Sequence, residues 1–218
     1  TDCEGRNAWH IAAYGGELDV IKYIWELAKE RLTTEEIKNE ILLRKDGKGK
    51  KAWHIAAYWG KLDVMQNIWE VAKERLTSEE IKNEMLLSTD GLGMKAWHIA
   101  AFWGKLDVMQ NIWELAKERL TKDEIKNEML LSTDREGRNA WHIAAYQGKL
   151  DVIQNIWEMA KEILTKEELK NEMLLATEGE GRNAWQIAAF WGKLDVKQYI
   201  RELAIERLTT EEVAYETS

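Results

Sequence analysis

The chain of 218 residues has no proline and a single cysteine. It also has no run of apolar residues long enough to span a bilayer, so no membrane-crossing segment is expected. One thiol, Cys3, excludes an internal disulfide framework. It lies near the N-terminus and is read as incidental. Basic residues are the scarcer charge: 31 Lys and Arg stand against 39 Asp and Glu, a net charge of −8. That balance argues against a general nucleic-acid or anionic-membrane binder. No signal-like stretch opens the sequence. With the lone cysteine, this makes a cytoplasmic location the expectation if the chain is intracellular.

What is present is a repeat. Ala-Trp-His-Ile-Ala-Ala begins at Ala8 and returns at Ala52, Ala96 and Ala140, and again at Ala184 with Gln186 in place of His. The spacing is 44 residues each time. A fixed period of this length marks a repeat solenoid in which each unit contacts mainly its neighbours. The expected organisation is one repeat domain over 1–218, with repeats 1–44, 45–88, 89–132, 133–176 and 177–218.

Each unit opens with a turn, as in Asp2-Cys3-Glu4-Gly5-Arg6-Asn7. Gly5 recurs as Gly49, Gly93, Gly137 and Gly181, so that turn position is expected to need positive φ. A short helix follows from about Ala8 to Tyr14, with Asn7 as N-cap, and Gly16 ends it. A second helix from about Leu18 to Leu32 carries Leu18, Ile21, Ile24, Trp25, Ala28 and Leu32 at helical spacing. Thr33 and Glu36 then form a capping-box pattern that returns in every unit, as late as Thr209…Glu212. A third helix is expected from there to about Leu43.

The string Asp2-x-x-Gly5-x-Asn7-Ala8-Trp9-His10-Ile11-Ala12-Ala13-x-x-Gly16-x-Leu18 resembles the ankyrin signature, T-P-L-H-x-A-A-x-x-G. The match recurs in all five copies. The Thr-Pro pair is replaced by Asn-Ala or Lys-Ala and the Leu by Trp. The period exceeds the usual 33, and the extra residues fall where the third helix begins. The resemblance implies an all-α, elongated ankyrin-type solenoid of five repeats, each a turn plus three helices. The copies are nearly identical through their helices, which points to a consensus-designed or reengineered array, a very recent duplication being the alternative.

The fifth copy differs where a stack ends. Ile21, Met65, Met109 and Ile153 become Lys197, and Trp25, Trp69, Trp113 and Trp157 become Arg201. The two positions are four apart and share one stripe of the second helix. A terminal repeat needs a polar outer face, so this copy is a C-terminal cap, and its Val213-Ala214-Tyr215 tail abandons the third-helix pattern.

Little in the chain suggests chemistry. His10, His54, His98 and His142 stand one per repeat with no Cys and no second His at ligand spacing. The resemblance implies a structural role for them, tying helix to backbone. Gly47-Lys48-Gly49-Lys50 lacks the spacing and preceding strand of a phosphate loop. No Ser-His-Asp or Cys-His constellation is found. The expectation is no enzyme, no metal and no cofactor. Nine of the twelve Trp belong to the scaffold, each needing one partner for its indole N–H.

The copies differ mainly in the turn and at the end of the first helix. The second turn is strongly basic, with Lys45, Lys48, Lys50 and Lys51. The third is apolar, with Leu92 and Met94, followed by Lys95. Trp59 and Trp103 end adjacent first helices, roughly 10 Å apart at helix-packing distance. An exposed cluster of two Trp, Leu and Met rimmed by Lys has the make-up of an interaction patch. Lys51 and Lys95 also replace the Asn cap, at a cost of ~1 kcal/mol each. A local rule broken in two neighbouring copies suggests selection for something besides stability. Trp191, at the same place in the last copy, is read as inherited from the consensus.

In the ankyrin family these turns and first helices line a concave groove that holds partners. The expected function is therefore a non-enzymatic binding module for a protein or extended peptide, acting as a monomer. Lys48, Lys50, Lys51, Trp59, Leu92, Met94, Lys95 and Trp103 would be its contact residues. The alternative is a structural scaffold with no dedicated ligand.

Overall fold

The computed structural model describes residues 1–208. The Thr209…Glu212 pattern and the Val213-Ala214-Tyr215 tail lie outside them. Among the described residues the chain is all-helical: fourteen α-helices, four π-helical segments and no strand. They form two compact units, residues 1–100 with 107–119, and 101–106 with 120–208.

The first helices are Ala8–Gly15, Ala52–Trp59, Ala96–Trp103, Ala140–Gln147 and Ala184–Phe190. Asn7, Asn139 and Asn183 each accept the N–H of the third helical residue, as expected of an N-cap. The second helices are Leu18–Arg31, Leu62–Arg75, Leu106–Arg119, Leu150–Ile163 and Leu194–Arg207. In the first unit, the first helices of copies one and two pack side by side, and so do their second helices. Copies four and five repeat the arrangement in the second unit.

The expected third helix is instead a short α-turn that widens into a π-helix. Thr34–Glu36 leads into Ile37–Leu42, and the change recurs in copies two to four. The capping box is in place, with Glu36 N–H on Thr33 Oγ1 and Thr33 N–H on the Glu36 carboxylate. Beyond it the hydrogen bonds skip five residues, as from Leu43 N–H to the Lys38 carbonyl at 2.9 Å. Side-chain spacing accounts for this. Ile81, Met85 and Leu86 are all buried, as are Ile125, Met129 and Leu130 and then Leu169, Met173 and Leu174. The wider turn turns positions i, i+4 and i+5 toward one face together, which an α-helix cannot do as well.

Each turn is organised by its leading carboxylate. Asp2 Oδ1 accepts the N–H groups of Glu4 and Arg6 at 3.0 and 2.9 Å, and Asp46, Asp90 and Asp134 do the same in their turns. The turn glycines hold φ between 74° and 79°, as their recurrence predicted. Successive turns join through the backbone. Gly47 N–H donates to the Glu4 carbonyl at 2.8 Å and Gly91 N–H to the Lys48 carbonyl at 2.9 Å. A Cβ on Gly91 would lie 2.6 Å from that carbonyl oxygen, so the approach needs glycine there.

The histidines act structurally. His10 Nε2–H donates to the Arg44 carbonyl at 2.9 Å, His54 to Ser88 at 3.0 Å and His142 to Ala176 at 2.9 Å. Each pins a first helix to the segment entering the next turn. A ring that donates from Nε2 and accepts the Lys51 N–H at Nδ1, as His54 does, is neutral. Burial drives the His54 pKa down to about 4, against an ordinary 6.5.

The second-helix stripe behaves as its sequence indicates. Ile21, Trp25, Met65, Trp69, Met109 and Trp113 are buried in the first unit and Ile153 and Trp157 in the second, whereas Arg201 is exposed. Within copies the tryptophans pair, Trp9 with Trp25 and Trp53 with Trp69, at centroid distances of 6.4 and 5.7 Å. Arg75 lies over the Trp25 ring and Arg119 over Trp69, at 5.9 and 6.0 Å. One expectation fails. Nε1 of Trp9, Trp53, Trp97, Trp141 and Trp185 has no hydrogen-bond partner among the described residues. An orphaned donor costs about 1–3 kcal/mol. Burying 150–250 Å² of ring at about 25 cal/mol per Å² gives about 4–6 kcal/mol, so burial wins.

Candidate partner-binding surface

In the first unit the turns of copies one and two and the ends of their first helices border an open groove of about 480 Å³. Its lining includes Cys3, Glu4, Arg6, Tyr14, Asp46, Lys48, Lys50, Ile55, Tyr58 and Trp59. The Tyr14 and Trp59 rings meet edge to face at 4.7 Å, and Tyr58 lies 5.1 Å from Trp59. Lys50 Nζ sits 4.5 Å from the Tyr58 centroid, a cation over a ring face. Lys48 reaches across the turns to Glu4 at 3.1 Å, and Glu4 also meets Arg6 at 3.2 Å.

The structure brings Lys48, Lys50 and Trp59 together on this groove. Trp59 is 42% exposed, and Leu92, on the third turn, is 62% exposed. Trp103 is exposed and belongs to the second unit. Three expected contact residues are buried instead: Lys51, Met94 and Lys95.

Lys51 shows why. Its side chain is 1% exposed, and Nζ donates to the Glu84 carbonyl at 2.8 Å and pairs with the Glu84 carboxylate at 2.5 Å. The long stem is covered and delivers its charge to the backbone carbonyl and the half-exposed carboxylate of Glu84. Burial lowers its pKa and Glu84 acts against that shift. Met94 is held by its own N–H on Asp90 Oδ1. Its side chain stands where other turns carry arginine.

That substitution leaves a trace. Asp90 is 5% exposed, and its Oδ2 has no hydrogen-bond partner among the described residues. No sequence pattern within the third turn flags this. Comparison of residues four apart does: Asp2 with Arg6 and Asp134 with Arg138, but Asp90 with Met94. The sequence reading also missed Tyr14, Tyr58, Glu4 and Arg6 as groove residues. The signal available was the charge pair Glu4 and Lys48 at equivalent places of consecutive copies.

The aromatic contact at Trp59 has a counterpart in the second unit, where Tyr146 meets Trp191 edge to face at 4.9 Å. The ring therefore serves packing between first helices as well as surface. A second depression, about 540 Å³, lies at the last second helix, lined by Trp185, Leu194, Asp195, Lys197, Gln198 and Arg201. It is the charged end of the stripe. Among the described residues no three His, Cys, Asp or Glu side chains converge as a metal-ligand set, and no helix is long and apolar enough to cross a membrane.

A scan against protein-family models and a search for similar curated proteins both return no match.

Proposed function

We propose that the chain is an elongated ankyrin-type solenoid of five repeats, built on a consensus, that binds a protein or extended peptide without catalysis. The carrying observation is Leu92. It is a large apolar side chain, 62% exposed at a turn whose counterparts carry Glu4, Lys48, Glu136 and Glu180. An apolar tip on the turn that Gly91 joins to Lys48, itself a groove residue, suits a partner with apolar anchors. Lys50, whose ammonium rests on a ring, is placed to add electrostatic steering.

The test is a binding screen of the immobilised protein against diverse peptides and proteins. Its control carries Lys48→Glu, Lys50→Arg, Leu92→Glu and Met94→Arg, the fourth copy's choices. Gly47 and Gly91 are kept, because a Cβ there would strike the preceding turn's carbonyl. Ligands held by the protein and lost by the control support the reading. Ligands held equally by both, or none, overturn it.

A second reading, a scaffold with no dedicated ligand, is favoured by the recurrence of the Tyr14–Trp59 contact as Tyr146–Trp191. Under it the screen yields nothing, and sedimentation shows whether the exposed apolar residues drive self-association.

A further inference from the structure

In three of the five turns an arginine four residues on closes the leading carboxylate. Arg6 donates from Nε to Asp2 Oδ2 at 2.8 Å and pairs with it through a terminal nitrogen at 2.8 Å. Arg138 holds Asp134 Oδ2 from Nε and a terminal nitrogen at 3.0 and 2.7 Å. Arg182 donates from Nε to Glu178 Oε1 at 3.0 Å. The second turn departs mildly: Lys50 rests on Tyr58, and Asp46 stays half-exposed to water.

The third turn departs fully. Asp90 Oδ1 is taken by the N–H groups of Leu92 and Met94 at 2.8 and 3.0 Å. Its Oδ2, in a side chain 95% buried, is left without a partner among the described residues. An unmatched buried carboxylate oxygen is costly, and the same turn also exposes Leu92.

We propose that Asp90 is a guanidinium-receiving subsite. An arginine of a bound peptide takes the place that Arg6, Arg138 and Arg182 fill elsewhere, while an adjacent apolar residue packs on Leu92. This rests on the partner-binding reading above. The planar fork of arginine matches a carboxylate edge better than a lysine ammonium does, and the sister turns use it. Met94 is unbranched and adaptable, so its side chain can move aside. Lys48 is drawn to Glu4 and Lys50 to Tyr58, which limits repulsion of the incoming cation.

Two synthetic peptide libraries test this. Both carry random flanks, and one fixed central position is arginine in the first and citrulline in the second. Citrulline keeps the shape and removes the charge. The arginine library should be retained about tenfold or more over the citrulline library, the range for a hydrogen bond to a charged group. Asp90→Asn keeps the Oδ1 acceptor and should erase the preference. Met94→Arg refills the place from within and should also erase it. Melting temperatures at or above the parent's establish that both variants are folded. Equal retention of both libraries by the parent overturns the guanidinium subsite and leaves partner binding standing. Retention of neither overturns both. A preference that survives in the two variants also overturns the assignment to Asp90.

Discussion

Lys51 does in the second turn what Asn7 does in the first. Asn7 Nδ2 donates to the Glu40 carbonyl at 2.7 Å, and Lys51 Nζ donates to the Glu84 carbonyl at 2.8 Å. The two carbonyls are equivalent, but only Asn7 also caps its helix. Lys51→Asn should therefore keep the long-range bond and add a cap, gaining about 1 kcal/mol. Lys51→Met keeps the stem and strands the Glu84 carbonyl, and should lose about 1–3 kcal/mol. Urea unfolding of both variants measures this, and a stabilised Lys51→Met protein would sink the structural role.

His54 makes stability depend on pH. Its folded pKa of about 4 lies below the ordinary 6.5. Between those values the unfolded chain takes up a proton that the folded chain refuses. Stability is thus full above pH 6.5 and falls as pH drops toward 4, by on the order of 3 kcal/mol for this residue. Burial lowers the His10 and His142 pKa values in the same direction and steepens the loss. The last copy already carries Gln186 at this place, with its Oε1 accepting the Asn183 N–H at 3.0 Å. His54→Gln should flatten the profile of denaturation midpoint against pH. An unaltered slope would exclude His54 as its source.

Gly91 is required by a close approach. With a Cβ 2.6 Å from the Lys48 oxygen, Gly91→Ala must separate the second and third turns and weaken the Gly91–Lys48 hydrogen bond. The expected loss is about 1–3 kcal/mol, as for other steric intrusions into packed sites. Calorimetry reads it, and exchange of the amide at position 91 should quicken in parallel. A variant as stable as the parent would mean the turns slide freely.

Lys197 and Arg201 end the stripe. Ile11, in the first copy, is 48% exposed where its counterpart Ile55 is 5% exposed. Restoring Lys197→Ile and Arg201→Trp would give one molecule a stripe that fits the uncovered first copy of another. Such a contact is head-to-tail, so assemblies larger than a dimer, rings or filaments, are the expected product. Sedimentation velocity should show mass growing with concentration. A single 25.4 kDa species at every concentration would contradict this.

What could be read from the chain was whatever is local or periodic. The Asn7 cap, the Thr33–Glu36 box, the positive φ of Gly5 and the buried Ile21–Trp25 stripe each depend on neighbours within a turn or on the 44-residue repeat. The inward course of Lys51 depends on a carbonyl 33 residues away, and the local pattern says only that a cap is missing. Met94 looked like surface because turns are polar, yet it takes a place built for an arginine stem. The π-helix escaped notice because Ile37, Ile41 and Leu42 also suit an α-helical reading. At the candidate site, exposure of Leu92 and Trp59 was legible; the exchange of arginine for Met94 shows when the copies are compared, but the unpartnered Asp90 Oδ2 it leaves depends on burial that sequence does not give.

The paired tryptophans give the molecule an optical label it did not need for folding. Trp9–Trp25, Trp53–Trp69, Trp97–Trp113 and Trp141–Trp157 hold indoles 5.7 to 6.4 Å apart, close enough for their electronic transitions to couple. The fifth copy has Arg201 in place of the second tryptophan, so Trp185 lacks that partner and the copy is dark in that signal. Coupled-indole circular dichroism therefore reports on four copies, while amide circular dichroism reports on all of them. Where the two curves part on heating, the difference belongs to the last copy, which makes fraying at one end of the chain visible without any added probe.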